Sequence, residues 1–206
     1  MNQINYQKEL EKVISGLQGR KEETAPTLFL HSCCAPCSSY VLEYLCPYFQ
    51  ITVFYYNPNI TMSEEYQKRV AEQKRLIAAY NAEQKGYAIS VSEGTYEPQR
   101  FFETVQGLES SPEGGERCCR CFSLRLRETA RHGAEGGFDY FTTTLTISPL
   151  KNAKKLNEIG QALAAEYGIA WLPSDFKKRE GYKRSVELSA QDNLYRQDYG
   201  GCIYSR

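Results

Sequence analysis

The stretch Thr27-Leu28-Phe29-Leu30-His31-Ser32-Cys33-Cys34-Ala35-Pro36-Cys37 decides the fold. Its opening run is apolar but short, which suits a buried strand better than a helix. Pro36 then fits the first turn of a helix, where a missing N–H breaks no intrahelical bond. A strand that passes directly into a helix is half of a βαβ unit. The thiols of Cys33, Cys34 and Cys37 therefore stand at a strand-to-helix corner.

Outward from this corner the same alternation continues. Upstream, Leu10, Val13, Ile14 and Leu17 recur at helical spacing and predict a helix over Tyr6 to Leu17. Downstream, Ile51 to Tyr56 is a β-branched and aromatic strand that stops at Asn57-Pro58. A helix from Ser63 to about Asn81, a strand over Tyr87 to Ser92 and a helix from about Glu97 to Gln106 follow. After the loop Ser110 to Gly115 comes a helix that opens near Cys118 and ends near Gly133 to Gly137. Phe138 to Leu145 reads as a strand, Ala153 to Tyr167 as a helix stopped by Gly168, and Ile169 to Leu172 as a last strand. A helix from Gly181 to about Ser189 precedes an irregular tail.

Strands separated by helices predict right-handed crossovers, hence an α/β fold with a parallel sheet of about five strands and helices on both faces. The expected organisation is a single α/β domain over 1–206. A helical N-terminal extension (1–25) and a basic helical C-terminal segment (174–206) would flank its centre. Ligands of such sheets bind beyond the carboxyl ends of the strands. The His31 to Cys37 segment lies at such an end.

The N-terminal Met-Asn-Gln-Ile-Asn-Tyr-Gln-Lys has no apolar core of a signal peptide, and no run approaches the roughly 18 apolar residues of a membrane span. The sequence thus predicts a cytoplasmic protein with no membrane partner. In a reducing compartment eight cysteines point to metal binding or redox chemistry rather than a disulfide framework. A formal net charge of zero excludes a global basic field for nucleic acid. Two local basic clusters remain, Lys177, Lys178, Arg179, Lys183 and Arg184, and Arg117, Arg120, Arg125, Arg127 and Arg131. Each reads equally as a solvated helix face or as a grip on phosphate.

Cys118 and Cys121, in Glu116-Arg117-Cys118-Cys119-Arg120-Cys121-Phe122, fall on one face of their helix. A helix N-terminus carries positive partial charge and stabilises thiolates, and both cysteine groups sit at one. Four such thiolates could ligate a [4Fe-4S] cluster or a zinc ion. Adjacent cysteines are awkward partners for one small ion, but can serve two irons of a cluster. Cys34-Ala35-Pro36-Cys37 also has the form of a dithiol redox motif, which leaves Cys33, Cys118 and Cys121 unexplained. Cys46 reads as a small buried hydrophobe and Cys119 as a bystander on the far side of its helix.

Further segments extend the pattern: Phe54-Tyr55-Tyr56-Asn57-Pro58-Asn59-Ile60, Phe141-Thr142-Thr143-Thr144-Leu145-Thr146-Ile147-Ser148-Pro149, Ser174-Asp175-Phe176-Lys177-Lys178 and Leu194-Tyr195-Arg196-Gln197-Asp198-Tyr199. Together with the two cysteine motifs they resemble the QueH type of epoxyqueuosine reductase, in order from about residue 27 to the C-terminus. The resemblance implies a Rossmann-like fold related to the nucleotide-hydrolase group. It also implies the last step of queuosine synthesis, removal of the epoxide oxygen from epoxyqueuosine in the tRNA anticodon. By position it makes Cys33, Cys34, Cys118 and Cys121 the ligands of a [4Fe-4S] cluster. It sets Cys37 where a second metal, iron or zinc, would bind. One departure stands out. The family ends in Tyr-Cys-Gly-Cys, a redox-active pair, whereas this chain has Tyr199-Gly200-Gly201-Cys202. Either electrons arrive directly from a ferredoxin or flavodoxin, or Cys202 finds another partner such as Cys37, or function is impaired.

Reductive loss of an epoxide oxygen takes two electrons and two protons and releases water. No side chain supplies such electrons, so a cofactor must. An acid must protonate the leaving oxygen, and the candidates are Asp175, Tyr56 and Asp198, in that order. Asp175 also reads as a turn or capping aspartate. His31 reads as a satisfied strand-end histidine, and His132 as a partner of its helix C-terminus. The wobble base must leave its stack to reach a recessed site. Two other functions fit less well. An ATP-dependent tRNA thiolase expects Ser-Gly-Gly-x-Asp-Ser where this chain has Ser32-Cys33-Cys34-Ala35-Pro36-Cys37. A zinc-stabilised RNA-binding module would use the same thiols without catalysis.

Overall fold

The computed structural model describes residues 4–17 and 25–205. Helix α1 (Tyr6–Leu17) precedes β1 (Thr27–His31), α2 (Ala35–Leu45), β2 (Gln50–Tyr55), α3 (Ser63–Glu83) and β3 (Ser90–Glu93). Then come α4 (Pro98–Val105), α5 (Glu116–Glu135), β4 (Tyr140–Thr143), a 3-10 turn (Thr144–Ile147), α6 (Ala153–Tyr167), β5 (Ala170–Trp171) and α7 (Gly181–Gln191). The outer parts of the expected extension, residues 1–3 and 18–24, lie outside the described residues.

The sheet has five parallel strands in the order β3-β2-β1-β4-β5. His31 at the end of β1 stands level with Phe54 of β2 and Thr143 of β4. The chain builds outward from β1 to β3, then returns to the other side of β1 for β4. This reversal opens a crevice at the carboxyl ends of β1 and β4, where ligands of open α/β sheets bind. The corner Ser32–Cys37 and the Thr144–Ile147 turn form its two lips.

Alternation along the strands divides the core in two. Leu28 and Leu30 of β1 and Ile51 and Val53 of β2 face a cluster with Leu10, Val41, Leu42 and Phe49, so α1 and α2 cover this side. Phe29, Phe54 and Phe141 face Leu126, Leu156 and Trp171, so α5 and α6 cover the other. A Cβ on Gly160 of α6 would lie 2.2 Å from the Trp171 ring, and only glycine lets helix and strand approach this closely.

Three strands are shorter than their composition predicts, and β5 keeps only Ala170–Trp171 of the expected Ile169 to Leu172. The run from Tyr87 joins β3 only at Ser90 because other groups take its backbone. Tyr87 N donates to Cys46 O at 2.9 Å, and the Asn81 amide bridges Ile89 N and O at 2.8 and 2.9 Å. β4 stops at Thr143 because Thr143 Oγ1 accepts from Leu145 N at 3.1 Å and starts the 3-10 turn. None of the described helices is long and apolar enough to cross a membrane.

Candidate metal centre

The corner after β1 is fixed from several sides. Ser32 N donates to Phe54 O at 3.0 Å, and Asn57 Nδ2 donates to Ser32 O at 2.8 Å. Ser32 Oγ and Ser38 Oγ, 2.6 Å apart, both reach Gln73 Oε1 of α3. Thus held, the sulfur atoms of Cys33, Cys34 and Cys37 lie within 4.8 Å of one another, a group that could bind a metal ion. Cys34 is buried and caps α2 with an extended backbone, while Cys33 and Cys37 are half-buried.

Three thiols so close cannot all carry charge, because like charges disfavour one another's ionisation. Thiol hydrogen bonds from Cys34 and Cys37 hold Cys33 well below the usual thiol range. The Cys33 charge in turn pushes Cys34 up to about 12, and Cys33 and Cys34 push Cys37 well upward. A cation bound at the three sulfurs would displace the remaining protons, as metal binding to thiols generally does.

α5 begins at Glu116, so Cys118 sits in its first turn and not at its first residue. Gly114 N donates to Cys118 Sγ at 3.3 Å. One turn on, Cys121 is buried; burial pushes its thiol up, and Arg125 opposes the rise. A cavity of about 30 Å³ is lined by Cys118, Cys121 and Cys202. A larger one of about 390 Å³ is lined by Cys33, Cys37, Arg69 and Asp198. Both share the wall formed by Glu113, Arg125, Lys151, Gly200 and Ser205. The two cysteine turns therefore border cavities that have lining residues in common, although Cys118 and Cys121 do not join the close group of Cys33, Cys34 and Cys37.

Arg125 is 3 % exposed. Its Nη2 donates to Asn57 Oδ1 at 2.6 Å, its Nε has no hydrogen-bond partner among the described residues, and none of their carboxylates pairs with it. A buried guanidinium without an anion is costly. The sulfurs of Cys33 and Cys121 interact with its charge, while Glu113, on the same wall, pairs with Lys151 at 3.4 Å. Donor set and counter-charge both fit a cofactor held by thiolates.

The model of the family "Epoxyqueuosine reductase QueH" matches residues 28–206. A protein of that name from Staphylococcus epidermidis is 42 % identical over 204 residues, covering 98 % of this chain and 84 % of the relative. One from Streptococcus pyogenes serotype M1 is 42 % identical over 202 residues, with 98 % and 78 % covered. One from Staphylococcus aureus is 41 % identical over 204 residues, with 98 % and 84 % covered. The chain belongs to the QueH family of epoxyqueuosine reductases.

In this QueH family member the remaining candidates are scattered. Asp198 lines the larger cysteine cavity. Asp175 does not: it lines a neighbouring lysine-rich cavity of about 430 Å³, and its carboxylate pairs with Lys177 at 2.6 Å. Tyr56 lines none of these cavities. Its ring stacks on Phe54, its hydroxyl is buried without a partner among the described residues, and burial pushes the phenol up to about 12. Cys202 packs with Phe101, Val105 and Cys121, on the α5 side of the shared wall, whereas Cys37 opens into the larger cavity. His31 is fully buried between Thr143 Oγ1 at 2.8 Å and Tyr56 O at 3.2 Å. The carbonyl requires a proton on Nε2, and burial pushes the imidazole down to about 3, so the ring is a neutral strut.

Most members of both basic clusters are paired with carboxylates or backbone carbonyls. Arg179 pairs with Glu11 at 3.0 Å, Arg184 with Glu43 at 2.7 Å, and Lys183 approaches Glu180 at 3.9 Å. On α5, Arg120 pairs with Glu116, Arg127 with Glu166 and Arg131 with Glu128. Arg117 is buried and donates to the carbonyls of Glu109, Ser111 and Tyr204, which ties the loop and the tail to the start of α5.

Sequence reasoning missed Asn57, Arg125 and Arg69 as parts of the site. Arg125 carried a signal, since it follows Cys118 and Cys121 at seven and four residues and so shares their helix face. Asn57 gave none, because its partners Ser32 and Arg125 come from distant elements, and for Arg69 the local pairing with Glu65 does not reveal the cavity it lines.

Proposed function

We propose that this protein removes the epoxide oxygen of epoxyqueuosine at the wobble position of tRNA, giving queuosine, with a [4Fe-4S] cluster as its cofactor. Cys33, Cys34, Cys118 and Cys121 would hold the cluster, with Cys37 available to a second ion, iron or zinc. Bound there, the cluster would supply single electrons at low potential and a Lewis-acidic iron. Family membership supports the reaction. The observation that carries the site is the wall shared by the two cysteine turns, with the buried Arg125 in it.

The chain's own residues bind, shape and protonate. Tyr182 and Leu150, both exposed and lining the larger cavity, offer apolar surface to a base turned out of its stack. Arg69 is buried, with Nε on Glu65 Oε1 at 2.6 Å, and it lines the larger cavity, where its guanidinium would face the substrate. Asp198, which lines the same cavity, is the proposed proton donor, ahead of Tyr56 and Asp175. Both C–O bonds of the epoxide break, two electrons and two protons are taken up, and oxygen leaves as water. The electrons come from a ferredoxin or flavodoxin. Lys178 and Lys183, exposed beside the cavity-lining Tyr182, would meet phosphates of the anticodon stem.

Anaerobic turnover tests the proposal. Reconstituted protein, a reductant and tRNA bearing epoxyqueuosine should yield a nucleoside lighter by one oxygen atom on mass spectrometry. A nucleoside of unchanged mass, with protein that holds its full iron, would refute it.

A further inference from the structure

We propose that Arg125 is the counter-charge of the sulfur-held cofactor and sets its reduction potential; the proposal rests on the cluster reading above. The observations are geometric. Arg125 is 3 % exposed and lines both cysteine cavities; the other cation that lines both among the described residues, Lys151, pairs with Glu113 at 3.4 Å. Asn57, a neutral amide, aims it through a 2.6 Å hydrogen bond to Nη2, and no described carboxylate neutralises it. The contrast with Arg69 across the larger cavity is sharp. That arginine is equally buried but has Glu65 at 2.6 Å, so its charge is already balanced within the protein.

A cluster ligated by four thiolates is an anion, and each electron it accepts makes it more negative without forming or breaking a bond. Net charge, nearby hydrogen bonds and burial set the potential of such a centre. A fixed positive charge stabilises the reduced state more than the oxidised one and raises the potential. In a buried site the effect is little screened by water or salt. Arg125 is thereby a positioning residue: it acts on the cluster and on the ease with which a low-potential one-electron donor can fill it.

Redox titration of the anaerobically reconstituted protein, with dithionite as reductant and mediator dyes, tests this through the loss of the visible cluster band. Arg125→Gln should lower the midpoint potential, while Arg125→Lys, which keeps the charge, should stay nearer the parent. Asn57→Asp provides a second route that leaves Arg125 in place, because a carboxylate at this position would neutralise it; its potential should fall as well. If either neutralising variant takes up a full cluster at the parent's potential, Arg125 is not the counter-charge. If the parent chain itself takes up no iron and sulfide, the cofactor reading fails first and takes the proposal with it.

Discussion

Asn57 and Arg125 clamp the two cysteine-bearing elements to each other. Arg125 Nη2, from α5, donates to Asn57 Oδ1 at 2.6 Å, while Asn57 Nδ2 donates to the carbonyl of Ser32 at 2.8 Å, one residue before the cysteine corner. All three residues are buried. One side-chain amide thus fixes the distance between two turns that are some 80 residues apart in sequence, and it does so without adding charge.

Asn57→Ala removes both bonds and leaves a buried guanidinium and a buried carbonyl unpaired. The metal-free protein should lose about 3 kcal/mol of stability. Urea unfolding followed by the single tryptophan, Trp171, measures it. A loss below about 0.5 kcal/mol, the range of an ordinary surface change, would mean that the clamp holds little.

Gly200 stands where the resemblance implies a cysteine, and its surroundings can take a small side chain. Its φ is not positive, and the nearest atoms to an added Cβ would be the Ser205 hydroxyl at 3.2 Å, which must shift by a few tenths of an ångström, the Lys151 amine at 3.7 Å and Ser205 Cβ at 3.8 Å. Gly201 is different: its φ of +93° and the nearby Ile60 and Arg69 side chains require glycine. Gly200→Cys should therefore fold with stability within about 0.5 kcal/mol of the parent, whereas Gly201→Cys should be clearly destabilised. Thermal melts under reducing conditions check both. Equal melting of the two variants would contradict the assignment.

Most of the architecture was legible because its signals are local. α1 and α6 match their sequence-based bounds residue for residue, since apolar residues at helical spacing and a helix stopped by Gly168 need no distant partner. The third strand was read too long because the Asn81 amide, from another element, competes for its backbone. The cysteines announced themselves by spacing. The place of Asp175 was not legible, because its pairing with Lys177 is local but the cavity it lines is built by residues from distant elements, Ile4 to Tyr6 and Lys151 to Lys154. The ion pairs of the basic clusters were not legible either: Glu11 and Glu43, which pair with Arg179 and Arg184, are more than a hundred residues away in sequence.

Glu128 gives the fold a pH dependence. It is 7 % exposed, and although burial alone would raise its carboxyl, hydrogen bonds from Arg131 and Arg100 hold it below the ordinary 4.5 of a glutamate. A carboxyl lowered on folding contributes stability that is full above the unfolded value and lost as pH falls through the lower folded value. Glu128→Gln should cost roughly 1 kcal/mol at neutral pH and progressively less below about pH 4.5, so that the two acid-unfolding curves converge. Parallel curves at all pH values would show that Glu128 titrates as an ordinary glutamate.

Iron and acid-labile sulfide, assayed after anaerobic reconstitution of the parent, Cys33→Ala and Cys118→Ala, bear most directly on whether both cysteine turns grip one cofactor. The parent should hold the iron and sulfide of a single cubane cluster with a brown visible band, and each substitution alone should abolish both while far-ultraviolet circular dichroism shows the fold intact. A Cys118→Ala protein that binds as much iron and sulfide as the parent, with the same spectrum, would contradict the account.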